Sequence, residues 1–176
     1  TIVPRAAFGQ VTGRLRKELS IPQLPSIRLH TPAVAEAVLA RGDADIVSMA
    51  RPMLADPDLV IKAKEGREDE INTCIGCNQA CLDHTFTGQL TSCLVNARAC
   101  REVGFDYPPV SAAKRIAVVG AGPAGLAFAT LAADRGHKVT LFDAAEEIGG
   151  QFNLAKRIPG KEESYETLRY LARRTH

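Results

Sequence analysis

At 176 residues the chain has room for one ordinary domain or two small ones, and its 45% hydrophobic and 24% charged composition is that of a soluble globular protein. A net charge of +2 gives no case for a nucleic-acid or membrane surface, and no stretch has the run of about 18 apolar residues that a membrane span needs. There is no charged-then-apolar leader, no initiator Met, and a helical pattern, Tyr165 to Arg174, runs to the end without a stop signal. The sequence therefore reads as an internal fragment of a cytoplasmic protein.

Residues 1–70 alternate strand-like and helix-like pieces. Ser26-Ile27-Arg28-Leu29-His30 is expected to be a short buried strand. Thr31-Pro32 supplies an N-cap followed by proline at the first helical position, Ala33 to Arg41 is rich in helix formers, and Gly42 suits the left-handed position after a helix. Asp45-Ile46-Val47-Ser48-Met49 is a second apolar strand, Asp56-Pro57 repeats the cap-and-proline start, and Gly66 is the expected end. Strand, helix, strand, helix at this spacing means parallel α/β packing. Arg28 and Ala50-Arg51 fall on or just after the two strands. If these are the last two strands of a (β/α)8 barrel, they stand where barrels often bind phosphate, and the guanidinium fork matches phosphate oxygens. Without that barrel, each arginine reads as a surface ion-pair residue.

Residues 71–104 hold the cysteines and show little periodicity. Five cysteines is an odd number, and four of them crowd into positions 74–93, which points to metal ligation before disulfides. Cys74, Cys77 and Cys81 lie within eight residues, and Cys93 follows after eleven more. Three close thiols plus one remote thiol is a common way to hold an iron–sulfur cluster. Structural zinc usually takes two separated C-x-x-C pairs, and the lone Cys93 disfavours it. A dithiol redox pair at Cys74 and Cys77 is a third reading. Cys100 lies outside the pattern and reads as a packed thiol rather than a ligand.

Residues 105–113, with Pro108-Pro109, look like a linker. Residues 114–176 open with the buried strand Arg115 to Val119, a helix from about Pro123 to Arg135, a turn at Gly136-His137 and the strand Lys138 to Phe142, which is a βαβ start. Gly120-Ala121-Gly122-Pro123-Ala124-Gly125 sits between strand and helix, the context that a dinucleotide-binding loop requires. Gly120 permits the tight turn, Gly122 the approach of a pyrophosphate, and Gly125 the close packing of helix on strand. Asp143, eighteen residues past Gly125, stands where an acid accepts ribose hydroxyls. Gly149-Gly150-Gln151-Phe152 permits close backbone approach to a ligand. Lys161 carries a weaker signal, since a lysine after Pro159-Gly160 is most often solvated.

Together these residues resemble the bacterial 2,4-dienoyl-CoA reductases and, more broadly, the old yellow enzyme relatives that append an iron–sulfur cluster and an FAD domain, trimethylamine dehydrogenase among them. The resemblance covers the whole chain. It runs through Arg41 to Asp45, Val47 to Pro52, Ile71 to Cys81, Thr91 to Asn96, Val118 to Gly125 and Gly149 to Phe152. It implies an α/β architecture: the C-terminal part of a TIM barrel, a cluster segment, then the start of a Rossmann-like FAD-binding domain. It further implies that Cys74, Cys77, Cys81 and Cys93 bind a 4Fe–4S cluster and that Arg28, Ala50 and Arg51 contact the FMN phosphate. Gly120, Gly122, Ala124, Gly125, Asp143 and Gln151, with Lys161 as an addition, would line an FAD site. In such reductases electrons pass from NADPH through FAD, the cluster and FMN to an unsaturated acyl-CoA. An amine dehydrogenase of the same architecture and a zinc-bound, non-catalytic module are the rival readings. The family's catalytic Tyr and His would precede Thr1 and its nicotinamide-binding domain would follow His176, so no catalytic residue is assigned here.

Overall fold

The computed structural model describes residues 3–26 and 28–175, and the chain divides into two compact units, residues 1–100 and 101–176. In the first unit, helix α1 (Gly9–Leu15) precedes helix α2 (Pro32–Ala40). A Cβ on Gly13 would stand 2.6 Å from the Asp43 carboxylate, and one on Gly9 would touch Val38. The two glycines thus let α1 lie close to the end of α2, and their low helix propensity hides this helix from a sequence reading. α2 begins as expected: the Thr31 hydroxyl accepts from Val34 N–H at 3.4 Å, Pro32 takes the first helical position, and Gly42 follows the helix at φ +72°. Leu29, Val38 and Ala44 form the buried core of this unit, with Val34, Val47 and Met49 packed on it.

Among the described residues, the two strands expected at 26–30 and 45–49 do not form regular β-structure. Asp45 and Ile46 N–H donate to Gln23 O at 3.1 and 3.3 Å, and Ser48 N–H donates to Pro25 O at 3.0 Å. This two-residue step is that of parallel neighbours. It goes no further among the described residues, because Arg28 adopts φ +60° and its carbonyl accepts from Ala6 N–H instead. Ile27, inside the first expected strand, lies outside the described residues.

Helix α3 (Arg51–Ala55), not anticipated from sequence, follows directly, and helix α4 (Leu59–Lys64) begins later than the Asp56-Pro57 signal suggests. The Asp56 carboxylate is committed elsewhere. It is 3% exposed and accepts from Asp58 N–H (3.1 Å), Asn72 N–H (2.8 Å) and Lys62 Nζ (2.7 Å). Gly66 ends the segment at φ +71°, as expected. The cysteine segment, with its short helix α5 (Leu82–Phe86), belongs to this same unit.

The second unit is built on strands β1 (Arg115–Val119) and β2 (Lys138–Phe142), parallel and in register from Arg115↔Lys138 to Val119↔Phe142. Helix α6 (Pro123–Asp134) connects them, Gly136 turns the chain at φ +95°, and Gly120 N–H donates to Phe142 O at 2.7 Å. A four-residue helix α7 (Phe152–Ala155) leads to α8 (Ser164–Arg174). α8 buries Ser164, Thr167, Leu168 and Leu171, the i, i+3, i+4, i+7 face of an amphipathic helix. Ala121, Leu126 and Leu171 form this unit's core, and Arg174 pairs with Asp134 across α8 and α6. The proline-rich stretch expected to be a linker is held by this unit: Arg135 Nε donates to Pro108 O (3.0 Å) and Val110 N–H to Arg135 O (2.9 Å). No helix among the described residues is long and apolar enough to cross a membrane.

Candidate cofactor sites

Cys74, Cys77, Cys81 and Cys93 line one recess, together with Arg51, Leu54, Asn78 and Val95, enclosing about 320 Å³ including its open mouth. All are free thiols. Two features shape the loop between the first cysteines. Gly76 takes φ +62° and donates its N–H to Cys74 Sγ at 3.5 Å. Asn78 takes φ +65°, a left-handed conformation that asparagine tolerates better than most residues. Asparagine amides fasten the flanks. Asn72 Nδ2 donates to Ala55 O (3.2 Å) and Val95 O (2.8 Å), and Asn96 Nδ2 to Leu54 O (2.8 Å). The remote cysteine is thereby brought to the other three by the C-terminal carbonyls of α3.

Burial pushes the Cys74 thiol from 9.0 up to about 11, against the Gly76 N–H and the nearby Arg51 guanidinium, which pull it down. Burial also raises Cys93, opposed by the Val95 and Asn96 N–H groups. Buried thiols with backbone donors aimed at sulfur suit a bound cation, which deprotonates a coordinating thiol outright. Four thiolates around a single zinc ion at about 2.3 Å would nearly touch. Among the described residues no three His, Cys, Asp or Glu side chains converge closely enough to hold one ion. The four cysteines lining this recess are the donor type that a thiolate-bound metal group takes. Cys100 is exposed rather than packed and lies outside the recess.

A second recess is lined by Ser26, Arg28, His30, Ser48, Ala50 and Arg51, among others. Arg28 is 5% exposed and His30 1%, and Ala50 lies at the mouth, exposed, as the residue before α3. The sequence places these arginines on or just after two expected strands; the fold brings both to one hollow, a donor set suited to a phosphate monoester. Arg51 lines both recesses, and its Nη1 donates to Asn78 Oδ1 in the cysteine loop.

In the second unit the glycine-rich turn joins β1 to α6. A Cβ on Gly125 would stand 1.9 Å from Gly120 O, so helix and strand meet here only through glycine. Gly120 adopts φ +102°, while Gly122 has ordinary backbone angles and nothing within 4 Å of a would-be Cβ. Ala124 is exposed at the start of α6. Gly149 N–H donates to Ala121 O at 2.7 Å, and a Cβ on Gly150 would meet Gly122 Cα at 3.1 Å. Asp143 is exposed and accepts from Ala145 N–H (2.7 Å) and Ala121 N–H; these two bonds hold its carboxyl below the ordinary carboxylate value. The carboxylate thus braces the loop as well as presenting negative charge beside it. Gln151 is exposed just before α7. Lys161 is exposed in the turn before α8, its N–H donating to Ile158 O.

Residues 4–70 match the NADH:flavin oxidoreductase / NADH oxidase family, and residues 118–174 match the NAD(P)-binding Rossmann-like domain. A metal reductase of Desulforamulus reducens is 45% identical over 169 residues, 96% of this chain and 25% of that protein. The structure of a 2-naphthoyl-CoA reductase complex superposes with a TM-score of 0.93 at 36% identity, covering 97% of this chain and 26% of that one. Histamine dehydrogenase from Rhizobium sp. 4-9 superposes at 0.90 with 30% identity, covering 97% and 25%. The chain spans about a quarter of the length of these relatives.

Proposed function

We propose that this chain, which joins an old yellow enzyme-like NADH:flavin oxidoreductase segment to an NAD(P)-binding Rossmann-like segment, is part of an iron–sulfur flavoenzyme. In this reading the whole enzyme reduces a conjugated C=C bond of an unsaturated acyl-CoA at the expense of NADPH. The observation that carries it is the placement of a four-thiol recess beside an arginine-lined anion recess, the two sharing Arg51. A coenzyme A thioester is also the ligand named for the naphthoyl-CoA reductase relative, in keeping with an acyl thioester substrate.

The residues divide the work as follows. Cys74, Cys77, Cys81 and Cys93 would hold a 4Fe–4S cluster, with the N–H groups of Gly76, Val95 and Asn96 directed at sulfur to stabilise negative charge there. Arg28, Ala50 and Arg51 would hold the phosphate of FMN. Gly120, Gly122 and Ala124 would face the pyrophosphate of FAD, Gly125 would keep α6 against the strand, and Asp143 would take the ribose hydroxyls with the carboxylate face that its loop bonds leave open. Gln151 would reach the same nucleotide from the neighbouring turn; Lys161 stays at its edge. When bound, these groups supply the electron transfer between nicotinamide and substrate.

Anaerobic purification of the full-length enzyme tests the reading. Iron and sulfide in equal amounts, both flavins and NADPH-dependent reduction of a dienoyl-CoA are expected. Zinc in place of iron would support a structural module. Amine-dependent reduction of an artificial acceptor, without dienoyl-CoA turnover, would assign the enzyme to the amine dehydrogenases.

A further inference from the structure

The two recesses of the first unit are joined by one side chain. Arg51, at the first position of α3, lines both, and its guanidinium donates to Asn78 Oδ1, between Cys77 and Cys81. Asn78 holds a left-handed backbone conformation at φ +65°; its main-chain carbonyl accepts from Asp83 N–H at 3.1 Å, and its side-chain oxygen accepts from the arginine. The same guanidinium acts electrostatically on Cys74. A guanidinium has five N–H donors in a rigid fork; anchoring one edge on Asn78 fixes where the other edge points.

We propose that Asn78 is a positioning residue that aims Arg51 at the phosphate group of the flavin, and that phosphate binding and the integrity of the thiol-bound group are thereby coupled. This rests on the reading given under Proposed function. Because coupling free energy is reciprocal, each site must feel the other: loss of the Asn78 amide weakens phosphate recognition, and an anion on Arg51 steadies the cysteine loop. The effect is expected to follow the phosphate, because Asn78 acts through Arg51.

The test uses the full-length enzyme, with iron, sulfide and flavin content measured first; absence of iron or of FMN there would overturn the proposed function itself. Asn78→Gly removes the acceptor and tolerates the left-handed backbone. After deflavination, FMN and riboflavin affinities are compared. The preference for FMN over riboflavin is expected to fall roughly three- to tenfold, less than the loss of a whole hydrogen bond to a charged group because Arg51 itself remains, with riboflavin binding unchanged. A general structural role would weaken both flavins alike, and an unchanged preference, or equal weakening, would overturn the proposal. A second measurement needs no variant. Iron release to a chelator is followed in unmutated, deflavinated enzyme, alone and with saturating riboflavin or FMN. FMN is expected to slow release several-fold beyond riboflavin; equal rates would overturn the coupling even if Asn78→Gly failed to fold.

Discussion

The glycine-rich loop offers a paired perturbation in which fold and function separate. A methyl group at Gly125 would sit 1.9 Å from Gly120 O and 3.1 Å from Gly120 C. A carbon and a carbonyl oxygen come no closer than about 3.3 Å, so strand and helix must part by roughly 1.4 Å at that point. The obstacle is backbone, and no rotamer change relieves it. Overpacking typically costs about 1–3 kcal/mol, and Gly125→Ala is expected at the upper end. At Gly122 the same methyl meets nothing within 4 Å, and φ −74°, ψ 174° suits alanine. Gly122→Ala should therefore change stability by less than about 0.5 kcal/mol. Yet it places a methyl group on the surface read as the pyrophosphate cradle. Pushing an anion off one backbone donor costs about 1.5–3 kcal/mol, tenfold or more in affinity. Denaturant unfolding and FAD retention, measured on both full-length variants, give four numbers. Gly122→Ala with unchanged FAD retention would refute the cradle, and Gly125→Ala with unchanged stability would refute the strand–helix approach.

Cys74→Ser, Cys77→Ser, Cys81→Ser and Cys93→Ser are each expected to abolish the cluster and Cys100→Ser to spare it; iron content and visible absorbance decide, and an intact cluster in Cys93→Ser would sink the assignment. Asp143→Ala should release FAD while FMN stays bound, because the carboxylate braces Ala121 and is the group proposed to take the ribose hydroxyls; equal loss of both flavins would contradict it. In metal-free protein the fold favours the neutral Cys74 thiol, raised from 9.0 to about 11 by burial. That contribution is present below pH 9 and declines as pH rises toward 11, by at most ~3 kcal/mol. Iron-loaded protein, its thiols already deprotonated, should lack the decline; urea unfolding across this window would contradict the assignment if metal-free stability rose.

The second unit was readable because its signals are local. A strand, a glycine turn in the required context and a helix with proline at its start specify one another within 30 residues, and β1, α6 and β2 form where expected. The four cysteines were equally plain as a spacing pattern carried by the chain itself, and they line one recess. What the sequence could not give was anything that depends on long-range contact. The strands around Arg28 and Val47 look regular as apolar runs, but a parallel strand is held by neighbours distant in sequence, and among the described residues the pairing here stops at Pro25 and Ser48. α1 was invisible because Gly9 and Gly13 serve close packing against Asp43 and Val38, a property of the partner surface. Asp56 announced a helix cap and became a buried hub for Lys62 and Asn72, because a carboxylate goes to the donors that tertiary packing leaves without water. Tertiary structure alone brought Arg28 and Arg51 to one hollow, and set Asn78 against Arg51 across 27 residues of chain. Residue type and spacing determine which chemistry is available; only the folded chain decides which groups share a site, since directional contacts fall off within a few ångströms and sequence distance says nothing about them.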